Sequence, residues 1–97
     1  MQLLWSARFI RDFKRLARRN QQLRSVVEQT LQQLAEDPFY PSLRTHKLKG
    51  DLLGTWACSI DYNNRILFEF VPHPDSGELV ISLGSTDPLM QNRVENP

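Results

Sequence analysis

The sequence predicts an α+β domain, with an N-terminal strand and a helical hairpin packed on a mostly antiparallel four- to five-stranded sheet. Three observations carry this. Two stretches with apolar residues at helical spacing follow one another closely near the start of the chain. A segment with two prolines, Asp37-Pro38-Phe39-Tyr40-Pro41, then ends the helical pattern. Beyond it apolar residues recur at every second position, separated by Gly-, Asn- and Pro-containing turns. Runs of helix followed by runs of strand are the pattern of an α+β fold. The 97 residues fit a single domain spanning 1–97.

Residues 2–6 (QLLWS) read as a first, short strand. Ser6 is placed to cap a helix, its side-chain oxygen accepting from an amide of the first turn. In Ala7–Arg19, Phe9, Phe13, Leu16 and Ala17 form one apolar stripe. A polar break at Asn20-Gln21-Gln22 predicts a tight turn, and a second helix runs from about Gln22 to Glu36 on Leu23, Val26, Val27, Leu31 and Leu34. Thr45–Lys49 is a short extended piece. Thr55–Asp61 and Arg65–Val71 alternate well enough to form a hairpin around Tyr62-Asn63-Asn64. That three-residue loop would pair Asp61 with Arg65, Ile60 with Ile66, Cys58 with Phe68 and Trp56 with Phe70. All large apolar residues then share one face, with Ser59, Asp61 and Arg65 on the other. Leu79–Leu83 is the last strand, ended by Gly84-Ser85-Thr86-Asp87-Pro88.

Hydrophobic content of 40% and charged content of 24% are those of an ordinary globular protein. No apolar run approaches the roughly 20 residues that span a bilayer. The start, MQLLWSARFIRDF, lacks the long apolar core of a secretory signal, so the cytoplasm is the expected location. The single Cys58 excludes an internal disulfide and a zinc site built on several cysteines. It lies on the apolar strand face with Trp56 and is expected to be buried. The net charge of +1 conceals a strong asymmetry. Residues 1–24 hold seven basic side chains against Asp12 alone, a net +6, whereas the rest of the chain carries −5. Such segregation suits a polyanion or an acidic protein, and equally a solvated helix surface.

The richest stretch chemically is His46–Arg65. His46 can carry a proton near neutral pH. Arg65 has two readings: bidentate binding of a phosphate, or a cross-strand ion pair with Asp61. Lys47 and Lys49 add positive charge that would attract an RNA backbone. His73, in the Pro72–Gly77 turn, reads as surface.

The strings LRTHKLKGDLLGTWACSIDYNNRILFEF and ISLGSTDPL, with DPxxP after a basic helical hairpin, resemble the RelE/ParE superfamily of bacterial type II toxins. Within it the RelE and YafQ-like messenger-RNA interferases are the nearest in pattern. The resemblance implies a cognate antitoxin that neutralises the toxin, and a partner in the mRNA of the ribosomal A site. It further implies metal-independent, cofactor-free cleavage in which a ribose 2′-hydroxyl is activated against the adjacent phosphate. Carried over residue by residue, it makes His46, Arg65 and Lys49 the catalytic candidates. Lys47, Ser59, Thr86, Asp87 and Met90 become the RNA-binding candidates. The sequence departs from the family pattern at Ser59 and Thr86, where histidines are usual, at Asn63 in place of an acidic residue, and at Met90 in place of an aromatic. These departures keep two other readings open. One is a toxin-like module with weak or lost nuclease activity that binds its antitoxin. The other is a ParE-like gyrase inhibitor. The basic first helix can serve ribosomal RNA or an acidic antitoxin segment.

Overall fold

A computed structural model describes residues 1–50 and 54–88 of the chain. In chain order they form β1 (Leu3–Trp5), α1 (Ala7–Arg19), α2 (Gln21–Glu36), a 3-10 turn (Pro41–Leu43), β2 (His46–Lys47), β3 (Trp56–Ser59), β4 (Asn64–Pro72) and β5 (Leu79–Pro88). The strands make one five-stranded sheet in the order β1-β5-β4-β3-β2. Every neighbouring pair is antiparallel except β1 with β5, which is parallel. The predicted α+β architecture is therefore the observed one.

Local chemistry explains the boundaries of the hairpin. Ser6 Oγ accepts the Phe9 amide at 3.0 Å and donates to the Gly84 carbonyl at 3.1 Å, so one hydroxyl starts α1 and ties it to β5. Asn20 serves two helices. Its amide donates to Leu16 O, closing α1, and its Oδ1 accepts from Gln22 and Leu23 at 2.9 and 3.2 Å, opening α2. The break is thus a single residue, and α2 starts at Gln21 rather than Gln22.

The hairpin covers one face of the sheet. Phe9, Val27, Leu31 and Leu34 from the helices bury against Cys58, Ile66, Phe68, Ile81 and Leu83 from the strands. Side chains of this size are each worth about 1.5–3 kcal/mol when removed from water, so this layer is the main source of stability. Trp56 and Phe70 extend it edge-to-face at 5.3 Å, and Phe39 stacks on Phe70.

Two predicted details are corrected. The β3–β4 register is Ser59↔Arg65, Cys58↔Ile66, Ala57↔Leu67 and Trp56↔Phe68, two residues away from the one expected. The cause is Asp61, whose Oδ1 accepts the amides of Asn63 and Asn64, each at 2.8 Å, while the Ile60 amide donates to Asn64 O. The connection between β3 and β4 therefore takes residues 60–63, and Asp61 serves its own loop instead of pairing with Arg65. A slip of two preserves the side-chain parity, so the predicted apolar face is also the observed one. The second correction concerns β5. Gly84–Pro88 continues the strand rather than ending it, through a register shift: Phe68 pairs with Leu83 but Leu67 with Ser85, leaving Gly84 as the extra residue of a β-bulge.

Candidate functional site

The bulge decides what the second half of β5 presents. Ile81 and Leu83 point into the helical core, and Ser82, opposite Glu69, points away from it. Without the extra residue Ser85 and Asp87 would follow Ile81 and Leu83 inward. With it, Ser85 lies opposite Leu67 and Asp87 opposite Arg65 on the outer face, while Thr86 shares the inner face of Ile66. The inward turn is held from α1. Asp12, only 8% exposed, accepts the Thr86 amide on Oδ2 at 3.0 Å.

On the outer face, Ser59, Arg65 and Asp87 form a row across β3, β4 and β5. Arg65 donates from Nε and Nη2 to Asp87 Oδ2 at 2.9 and 2.7 Å, in a largely sheltered pair. The next row along the sheet is His46, Ala57, Leu67 and Ser85. His46 lies two strands and one pleat from Arg65, roughly 12 Å between Cα atoms on ordinary sheet spacings. Its Nδ1 sits 2.8 Å from the Arg44 carbonyl oxygen. A carbonyl can only accept, so Nδ1 carries the hydrogen and Nε2 of the neutral ring keeps its lone pair. Arg44 itself takes a left-handed conformation, φ 51°, as the chain leaves the 3-10 turn.

The remaining sequence candidates are dispersed. Lys47, opposite Trp56, places Nζ 5.4 Å from that ring's centroid, on the helix side of the sheet and away from His46. Lys49 is exposed beyond the end of β2, with no ion pair among the described residues. Ser59 stays beside Arg65, and Thr86 faces α1. Met90 lies outside the described residues. Among the described residues no group of three or more His, Cys, Asp or Glu side chains could hold a metal ion.

The same outer face carries an open depression of about 380 Å³, lined by Arg8, Thr55, Leu67, Glu69, Ser82 and Ser85. Sequence reasoning missed Arg8 and Glu69. Glu69 follows Arg65 at i+4 on β4 and so had to share its face; Arg8 lines the site because Ser6–Gly84 and Asp12–Thr86 tie α1 to β5, long-range contacts that no local pattern reveals.

No family model and no curated protein matches the chain. Solved structures do. A YoeB/ParE toxin from Agrobacterium tumefaciens superposes with a TM-score of 0.72 at 18% identity, over 91% of this chain and 98% of that one. YafQ from E. coli gives 0.69 at 14% identity, over 94% and 96%. The toxin–antitoxin complex RelBE2 from Mycobacterium tuberculosis gives 0.63 at 21% identity, over 90% and 95%. The chain has the RelE/ParE toxin fold.

A second surface of this toxin fold lies on the helix side. A groove of about 640 Å³ runs along α1, lined by Trp5, Ile10, Phe13 and Ala17 and by Lys14, Arg18 and Arg24. Trp5 is 43% exposed although it packs edge-to-face on Phe9 and Phe13. The segregated positive charge of the sequence thus borders exposed apolar surface. No helix among the described residues is long and apolar enough to cross a membrane.

Proposed function

We propose that this chain is the toxin of a type II toxin–antitoxin system, a cytoplasmic endoribonuclease that cuts mRNA in the ribosomal A site. The observation that carries the proposal is the outer-face arrangement on this fold: an arginine already shaped around an anionic oxygen, and a histidine whose Nε2 is free to take a proton. An RNA phosphate would replace Asp87 at the Arg65 guanidinium, with Lys49 adding positive charge from its exposed position. His46 Nε2 would accept the 2′-hydroxyl proton as O2′ attacks the adjacent phosphorus. The P–O5′ bond then breaks, and the 5′-oxygen leaves with a proton from solvent, giving a 2′,3′-cyclic phosphate and a 5′-hydroxyl. DNA lacks the attacking group, so the reaction is confined to RNA.

Induction of the chain in cells, with mRNA ends mapped, tests this. Growth arrest and cuts at A-site codons are expected, with His46→Ala and Arg65→Ala each reducing cleavage by about 100-fold or more. Normal growth with intact messages would remove the nuclease. One observation favours a second reading, a toxin-like module that binds without cutting. Thr86 faces inward, so His46 is the one proton-carrying ring in the outer-face rows of Arg65 and Leu67 among the described residues. Growth arrest with intact mRNA would support it, and a supercoiling assay would then separate a gyrase inhibitor from a ribosome binder.

The antitoxin partner fits the α1 groove. Exposed Trp5 and Ile10 and part-buried Phe13 beside three cations match an acidic amphipathic segment, which would lay its apolar residues into the groove and its carboxylates against Lys14, Arg18 and Arg24.

A further inference from the structure

The outer-face depression holds opposite charges that the protein does not neutralise. Arg8 and Glu69 both line it, and among the described residues neither forms an ion pair. Leu67 supplies an apolar wall, and Ser82 and Ser85 add hydroxyls. Those two serines, three positions apart on one strand, face the same way only because Gly84 is bulged between them. A cleft of about 380 Å³ lies at the small end of the range for small-molecule sites. The ligand it suits has an anionic group for Arg8, a flat apolar surface for Leu67, and N–H donors for the Glu69 carboxylate.

We propose that this depression is a nucleobase subsite and that Glu69 selects guanine. The inference rests on the RNA-cutting reading and names a specificity determinant for it. An ionised carboxylate only accepts hydrogen bonds. Guanine presents two adjacent donors, N1–H and the N2 amino group, which match the two carboxylate oxygens. Adenine and cytosine each present one amino group beside an acceptor ring nitrogen, which repels the second oxygen. Uracil presents a single N–H between two carbonyls. Glu69 lies four residues along β4 from Arg65, roughly 13 Å, so the selected base belongs to a neighbour of the nucleotide whose phosphate Arg65 holds. Arg8 then takes a flanking phosphate without regard to base.

The test is titration of the intact chain with GMP, AMP, CMP and UMP, followed by amide NMR. GMP is expected to shift the signals of Leu67, Glu69, Ser82 and Ser85 and to bind about tenfold more tightly than the other three, as one lost bidentate contact implies. Glu69→Gln, whose amide offers one donor and one acceptor, is expected to abolish that preference while leaving the fold intact. Arg8→Gln is expected to weaken all four nucleotides alike. Equal binding of the four, absence of binding, shifts elsewhere, or an unchanged guanine preference in Glu69→Gln would each overturn the subsite. The two proposals separate cleanly. Messages cut in cells by a chain that binds the four nucleotides equally would leave the toxin reading standing and remove the subsite. Guanine-selective binding through Glu69 without cutting would do the reverse.

Discussion

Burial pushes the Cys58 thiol up to about 12, against a smaller lowering by its hydrogen bond with the Ile66 backbone. A thiolate is poorly tolerated beside Ile66 and Phe68, so the fold holds the group protonated and unreactive. The consequence for stability has a definite sign. An exposed thiol ionises near 9, so the unfolded chain loses its proton first as pH rises. Stability from this group is complete below pH 9 and is lost progressively towards pH 12, by on the order of a few kcal/mol. Cys58→Ala should show a flatter fall in urea midpoint between pH 9 and 11 than the parent, after allowing for the small cavity. In the parent, thiol reagents should label Cys58 only as fast as the chain unfolds. A rapid labelling phase under native conditions would contradict the burial described here.

Among the elements, β5 does most to create the site, and its geometry depends on one helix contact. Asp12 is the lone acidic residue among seven basic ones in residues 1–24, and its charge is turned inward to hold the Thr86 amide. Asp12→Ala would leave that amide without its partner, a loss of about 1–3 kcal/mol. Asp12→Asn retains a carbonyl acceptor and should cost less. Urea midpoints of the two variants check the order, and equal losses would show that the carboxylate charge, not the bond, matters. The bulge also marks the limit of what alternation could reveal. Helices, caps and the buried strand faces were legible because periodicity and capping chemistry are local. The true partner of Arg65 was not. Asp87 reaches it across 22 positions, by a bulge that reverses parity after Gly84, and the Asp61 loop lengthens the β3–β4 connection beyond what its asparagines suggest. His46 was found from its residue type, but the carbonyl that fixes its tautomer is a product of the 3-10 turn's exit.

For the whole molecule, the sheet separates two surfaces: a polar outer face around Arg65, and a helix side with the cationic, partly apolar α1 groove. A negative charge introduced into the groove should therefore act on partner binding alone. Ile10→Asp, at a position already 37% exposed, is expected to weaken the proposed antitoxin capture at least tenfold, the scale of a lost interface anchor, while leaving the proposed cleavage of message unchanged. Pull-down with the adjacent-gene product and end-mapping of mRNA would read the two separately, and loss of both together would show that the surfaces are not independent. The sheet order carries one more implication, for how the molecule comes into being. β5 is last in chain order among the described strands, yet it lies inside the sheet, bonded to β1 on one side and β4 on the other. During synthesis β1 has no strand to join until residues 79–83 have emerged, so contacts spanning nearly the whole described chain must close late and folding is correspondingly slow. A ribosome stalled before that point would hold a helical hairpin and a β2–β4 remnant, with neither the Asp87 clamp nor the Ser82–Ser85 wall. If the chain cuts message as proposed, that activity would arise only when the fold closes, after the nascent chain has been completed.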